Sequence, residues 1–121
     1  MLPPVFQTLK ASVAVKNFVG TNPPRIYRHG DAPQGVEKPY VTWFLVVGTP
    51  DNHLSGLPPS DRLQVQVDVW HTTDAGVTLL AQAVRDAIEP HAHCISVPID
   101  GREPDTGLYR MALVFDWFVN R

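Results

Sequence analysis

A chain of 121 residues with 44% hydrophobic and 18% charged side chains suits one domain, here spanning 1–121, with a single core, and it is too apolar to be disordered. Ten basic against twelve acidic residues, with no Lys/Arg run, exclude the electrostatic footprint of a dedicated nucleic-acid binder. The single cysteine, Cys94, allows no intrachain disulfide, no apolar run approaches the ~20 residues that span a bilayer, and the N-terminus lacks the charged and apolar regions of a secretory leader, so synthesis in the cytoplasm is predicted.

Leu2, Phe6, Leu9 and Val13 recur at spacings of three and four and predict a short helix, opened by Pro3 or Pro4, stopped at Gly20 and packed on the protein's own sheet. Asn22-Pro23-Pro24 ends it. Arg25-Ile26-Tyr27-Arg28 reads as a short strand, and His29 to Gly35 supplies turn chemistry, with Pro33 and Gly35 favouring a tight bend.

Pro39 to Val47 reads as a strand with Val41, Trp43, Leu45 and Val47 on one face and Tyr40, Thr42, Phe44 and Val46 on the other. Both faces are apolar, so the strand is covered on both sides or turns one face to a neighbouring subunit. The stretch from Gly48 to Ser60, thirteen residues including Pro50, Gly56, Pro58 and Pro59, exceeds an ordinary hairpin connection and reads as a subunit-contacting arm.

In the strand from Asp61 to Trp70, Leu63, Val65, Val67 and Val69 fall on one face and Gln64, Gln66 and Asp68 on the other. That pattern pins the register, because a one-residue slip would put four aliphatic side chains into water at roughly 1.5 to 3 kcal/mol each. Trp70 interrupts the polar face, either as an interface residue or as an edge tryptophan satisfied within the chain.

Thr72-Thr73-Asp74 offers an N-cap and a first-turn acid for a helix from about Asp74 to Glu89, whose stripe of Val77, Leu80, Ala81, Val84, Ala87 and Ile88 ends at Pro90. It should lie across the Leu63/Val65/Val67/Val69 face. Cys94 to Val97 and Tyr109 to Val119 read as a last antiparallel pair around the turn-rich Asp100 to Gly107. The expected fold is α+β: an antiparallel-rich sheet of about four long strands with two helices packed on one face, in the order α-β-β-β-α-β-β.

Little in the chain points to chemistry. His91-Ala92-His93-Cys94 is the one cluster of metal-capable residues, and no second pair completes a tetrahedral set. A Cys94 nucleophile with a histidine base and Asp68 or Asp116 can be written down, but no motif places the three together, and nucleotide-binding, zincin and hydrolase signatures are missing. No catalytic residue, metal or cofactor is expected. Asp68 and Asp116, charges inside strands, read as solvent-facing or edge positions, with an inter-subunit ion pair to Arg62, Arg85 or Arg110 as the sharper alternative.

The turn Ala32-Pro33-Gln34-Gly35, the two long strands, the polar loop between them and the helix that follows resemble the small phage tail completion proteins of the tail terminator type. The likeness extends from the N-terminal helix and the Arg25-Ile26-Tyr27 strand to the C-terminal strand. It implies a structural protein of the virion, located at the head-tail junction, that forms a homo-oligomeric ring of six subunits on the tail tube, stops tube polymerisation and presents a surface to head-side connector or neck proteins. Its partners would be its own copies, the tail tube protein and the neck, with no sequence-specific nucleic acid and no membrane. On that reading the contact residues are Gln34, Gly35, Asp51, Asn52, His53, Leu54 and Trp70, with Gly35 and Gly56 serving backbone geometry. Two other classes stay open: a head-completion or neck protein on the head side of the joint, and a small ligand-binding α+β domain with a closed pocket lined by His91, His93 and Cys94.

Overall fold

The computed structural model describes residues 2–50 and 60–120. In chain order they form α1 (Val5–Lys10), α2 (Val13–Val19), β1 (Ile26–Arg28), β2 (Tyr40–Pro50), β3 (Ser60–His71), α3 (Asp74–Ile88), β4 (Ala92–Arg102) and β5 (Tyr109–Asn120). The five strands make one sheet in the order β1-β2-β3-β5-β4; β1 runs parallel to β2 and every other pair is antiparallel. The expected α+β architecture is therefore present, with a fifth short strand on the edge.

The predicted N-terminal helix is two helices. Ser12 adopts an extended conformation and its hydroxyl accepts a hydrogen bond from the Val15 amide at 3.2 Å, capping a new helix instead of continuing the old one. This restart shifts the phase of the apolar stripe. Val5, Leu9, Val15 and Val19 are buried, whereas Val13, placed on the inner stripe from its spacing, is 68% exposed. Gly20 ends α2 as predicted, with φ +83 and its amide donating to the Lys16 carbonyl at 2.8 Å. Arg25 then ties the entry to the sheet, its Nε donating to the Pro39 carbonyl at 3.0 Å and an Nη to the Phe18 carbonyl at 2.9 Å.

Helix α3 starts where its cap was read: the Thr73 hydroxyl accepts from the Gly76 amide at 3.0 Å, and Asp74 sits in the first turn. Its buried stripe, Val77, Leu80, Ala81, Val84 and Ile88, meets Val65, Val67 and Val69 of β3 and Leu113 and Phe115 of β5 in one core. The shorter helices add Val5, Leu9, Val15 and Val19 to the same core, beside Val41 and Trp43 of β2. All three helices thus lie on one face of the sheet, and among the described residues no helix covers the other face.

Two strands depart from simple alternation. In β2 the register shifts between Leu45, opposite Val65, and Val47, opposite Gln64. That bulge moves Val47 off the Val41/Trp43/Leu45 face, where its spacing had put it, and leaves Val46 and Val47 exposed. In β4 the pairing with β5 shifts between Cys94 and Ser96 and again between Ser96 and Ile99, around Pro98. Proline has no amide to give the ladder and is accommodated on such an edge strand. Past the shifts the strand continues to Arg102, so the hairpin is longer than Cys94 to Val97 suggested. Its turn is closed by the Gly107 amide on the Glu103 carbonyl and the Glu103 amide on the Leu108 carbonyl, each at 2.8 Å.

Candidate functional site

Cross-strand registry puts Tyr40, Trp70 and Arg110 side by side on the helix-free face. The Tyr40 and Trp70 rings stack, with centroids 5.7 Å apart and planes 8° from parallel, and the Arg110 guanidinium stands 4.8 Å from the Trp70 ring centroid. Trp70 Nε1 donates to Thr42 Oγ1 at 3.2 Å. Burial raises the Tyr40 phenol above its ordinary value; nearby Glu103 pushes the same way and Arg110 opposes.

Under this row lies Asp68, 4% exposed, whose carboxylate accepts from Arg110 at 3.1 Å and from Gln66 at 3.0 Å. Arg110 also donates to Glu103 at 3.3 Å, linking β5 to the β4–β5 turn. At the other end of the same face Asp116, 9% exposed, accepts from Arg62 at 2.6 and 3.2 Å. Both aspartates are buried and ion-paired within the chain, so the solvent-facing reading of these two positions is overturned. The reason is neighbourhood: Arg110 from β5 and Gln66 from its own strand supply the hydrogen bonds of Asp68, and Arg62 from β3 holds one carboxylate oxygen of Asp116.

The aromatic row floors an open groove of about 720 Å3, walled by the 29–38 segment on one side and by Thr106 and Leu108 on the other. Gln34 and Gly35, read from the sequence as contact residues, line it together with Trp70. Gly35 has φ +75, a conformation that glycine adopts without strain, which accords with a backbone role. Asp51, Asn52, His53 and Leu54, with the rest of the arm between Pro50 and Ser60, lie outside the described residues. The two readings of Trp70 are not exclusive, since its ring is satisfied within the chain and still faces the groove. Tyr40, Thr42, Phe44 and Leu108 also line the groove and were not singled out from sequence. Only strand pairing brings Tyr40 beside Trp70, and Leu108 arrives through a turn.

The rival chemical centre does not assemble. His91 lies flat over Trp117, ring centroids 6.4 Å apart, and His93 is exposed. Cys94 donates its thiol to the Ser96 carbonyl at 3.8 Å, and burial raises its pKa, which keeps it a thiol and a poor nucleophile. Among the described residues no group of three or more His, Cys, Asp or Glu side chains is placed to hold a metal ion.

The family model of tail completion protein gp17 matches residues 3–120. The chain belongs to that family. It is a structural component of a phage-type virion, located at the tail and its junction with the head, and its work is completion of the tail by contact rather than catalysis. No curated protein matches this tail completion protein. Among solved structures it is similar to a chain in the virion of a native gene transfer agent particle, with a TM-score of 0.71 and 20% identity, covering 97% of this chain and 92% of that one. At that identity the likeness is one of fold, and it runs nearly end to end.

Proposed function

We propose that the protein ends the tail as a ring of identical copies, six in number, seated on the head-proximal end of the tail tube, where it stops addition of tube subunits and offers its outer surface to the head-side connector. The observation that carries this reading is the helix-free sheet face. Phe118 is 55% exposed at one end of that face and Val47 is also exposed, a groove with an aromatic floor lies at the other end, and the two aspartates of that face already have their arginines inside the chain. A face with exposed apolar side chains and internally neutralised charge can be covered by another protein without stranding a buried ion, and such coverage is the output required of a completion protein. Self-association by two different patches closes into a ring when the rotation between copies divides a full turn.

Electron microscopy of particles made without this chain tests the reading, together with mass measurement of the native assembly. Tails of abnormal length would support termination of the tube. Tails of normal length that fail to join heads would place the protein on the head side of the joint instead, and a strictly monomeric chain in the particle would remove the ring.

A further inference from the structure

We propose that the notch between α3 and β4 receives Val13 of a second copy; this rests on the ring reading above and names the two patches that would meet around the ring. The notch, about 100 Å3, is floored by Met111 and Leu113 of β5 and walled by Thr78 and Gln82 of α3 and by Val97 of β4. It exists because α3 packs chiefly on β3 and β5, and no helix among the described residues lies over β4, which leaves Val97 42% exposed. Val13, the first residue of α2, is 68% exposed, more than any other large apolar side chain described. The restart at Ser12 buries Val15 and Val19 and turns Val13 outward, so the chain presents one apolar knob and one apolar recess.

Knob and recess lie on opposite flanks of one chain. Helix α2 packs against β2 and α3, whereas the notch opens where α3 meets β4. In the sheet order β2 and β4 are three strand spacings apart, roughly 14 Å. With α3 between them Val13 cannot enter its own notch, and the Val13 of a copy placed alongside can. The charges are complementary. Residues 1–30 hold Lys10, Lys16, Arg25 and Arg28 and no Asp or Glu. Arg25 is bound to the Phe18 and Pro39 carbonyls and Arg28 lies over the Trp43 ring, but no carboxylate among the described residues pairs with Lys10 or Lys16, which flank Val13 in the chain. At the notch Arg85 is already paired with Glu89 at 3.0 Å, while Asp86, accepting from Gln82 at 2.8 Å, and Asp100, directly opposite Met111, are exposed. A knob between two lysines thus meets a recess with two aspartates at its margin, and charges so placed set the orientation of the partners. Each copy gives with one flank and receives with the other, the head-to-tail arrangement that cyclises.

The test uses particles assembled with a chain carrying Cys94→Ser, Val13→Cys and Gln82→Cys, with Thr78→Cys as a second choice of notch position. They are oxidised and separated without reductant. The expected result is at least about a tenfold rise in disulfide-linked dimers and higher species over particles carrying Cys94→Ser and Val13→Cys alone. Mixed heavy- and light-isotope chains should show that positions 13 and 82 come from different copies. Lys10→Glu with Lys16→Glu should lower the yield of rings, read from the native mass, by at least about fivefold, and Asp86→Lys with Asp100→Lys added to that chain should restore it. Rings that form with no link from either notch position, or a link that joins position 13 only to a different virion protein, overturn this contact and leave the ring standing. A chain that is monomeric in the particle overturns both.

Discussion

Trp70 and Tyr40 lie directly opposite each other on neighbouring antiparallel strands, and their rings overlap at 5.7 Å with planes nearly parallel. Cross-strand aromatic pairs of this kind stabilise a sheet by roughly 0.5 to 1.5 kcal/mol beyond the area they bury. The indole N–H meanwhile has a partner in Thr42. The pair therefore holds β2 to β3 and offers a flat apolar surface at one end of the sheet.

Trp70→Phe should keep most of the stacking and leave Thr42 without its donor, a loss of about 1 kcal/mol. Trp70→Ala removes the ring altogether and should cost about 2 to 3 kcal/mol, since the site is half-buried. Urea unfolding of the two variants checks the order and spacing of these losses.

Arg110→Met should destabilise more than Arg62→Met. Arg110 is shared by Asp68 and Glu103 and is mostly buried, whereas Arg62 is nearly half exposed and pairs with Asp116 alone. Stranding the buried Asp68 carboxylate should cost roughly 3 kcal/mol. Asp68→Asn added to Arg110→Met should recover part of that loss, and a double-mutant cycle measures it.

Gly76 sits under the His71 ring, and a Cβ at position 76 would run into that ring. Gly76→Ala should therefore destabilise by about 1 to 3 kcal/mol through overpacking, against the roughly 1 kcal/mol that alanine gains within a helix. In a His71→Ala background the same change should become neutral or stabilising, which thermal unfolding of the four variants would reveal.

His71 also predicts a pH dependence. Burial lowers its pKa below the ordinary 6.5, and its Nδ1 accepts the Thr73 amide at 3.2 Å, which requires that nitrogen to be unprotonated. The unfolded chain takes up a proton as pH falls through 6.5 while the folded one resists. This contribution to stability is fully present above that value, is lost on acidification between it and the lower folded pKa, and then levels off. Unfolding free energies at pH 7.5 and pH 5.5 should differ less in His71→Gln than in the parent.

Deleting His53 to Pro59 should leave the far-ultraviolet spectrum and unfolding midpoint of the subunit nearly unchanged while weakening assembly, because β2 and β3 pair along their lengths without the connection. Unchanged assembly, read from the native mass, would count against an arm that contacts neighbours.

The parts legible from sequence were those with one dominant period. The alternation Leu63, Val65, Val67, Val69 located β3 and its inner face, and the Thr73 cap with the Val77-to-Ile88 stripe located α3. What escaped was set by single residues acting against a period. Ser12 restarted a helix, a bulge at Val46 turned Val47 over, and Pro98 came with two register shifts in a strand that nevertheless ran on. At the groove, Gln34, Gly35 and Trp70 were legible as turn and pattern-breaking residues. Tyr40 was not, and Arg110 was read only as a possible ion-pair partner between subunits, because their placement beside Trp70 comes from pairing across strands far apart in the chain. The burial of Asp68 and Asp116 was hidden for the same reason, since their arginines arrive from another strand.

The proline and paired shifts of β4 also bear on what the free subunit avoids. The last strand of a sheet is a template on which a further strand can crystallise, and a part stockpiled in a cell before use is exposed to that accident. Pro98 brings no N–H to the strand, one register shift spans it and another lies just before it, so this stretch of the edge is not a regular line for a further strand to copy. The molecule is thereby discouraged from fibrous growth along that margin, and its unions are left to surfaces whose shape must match.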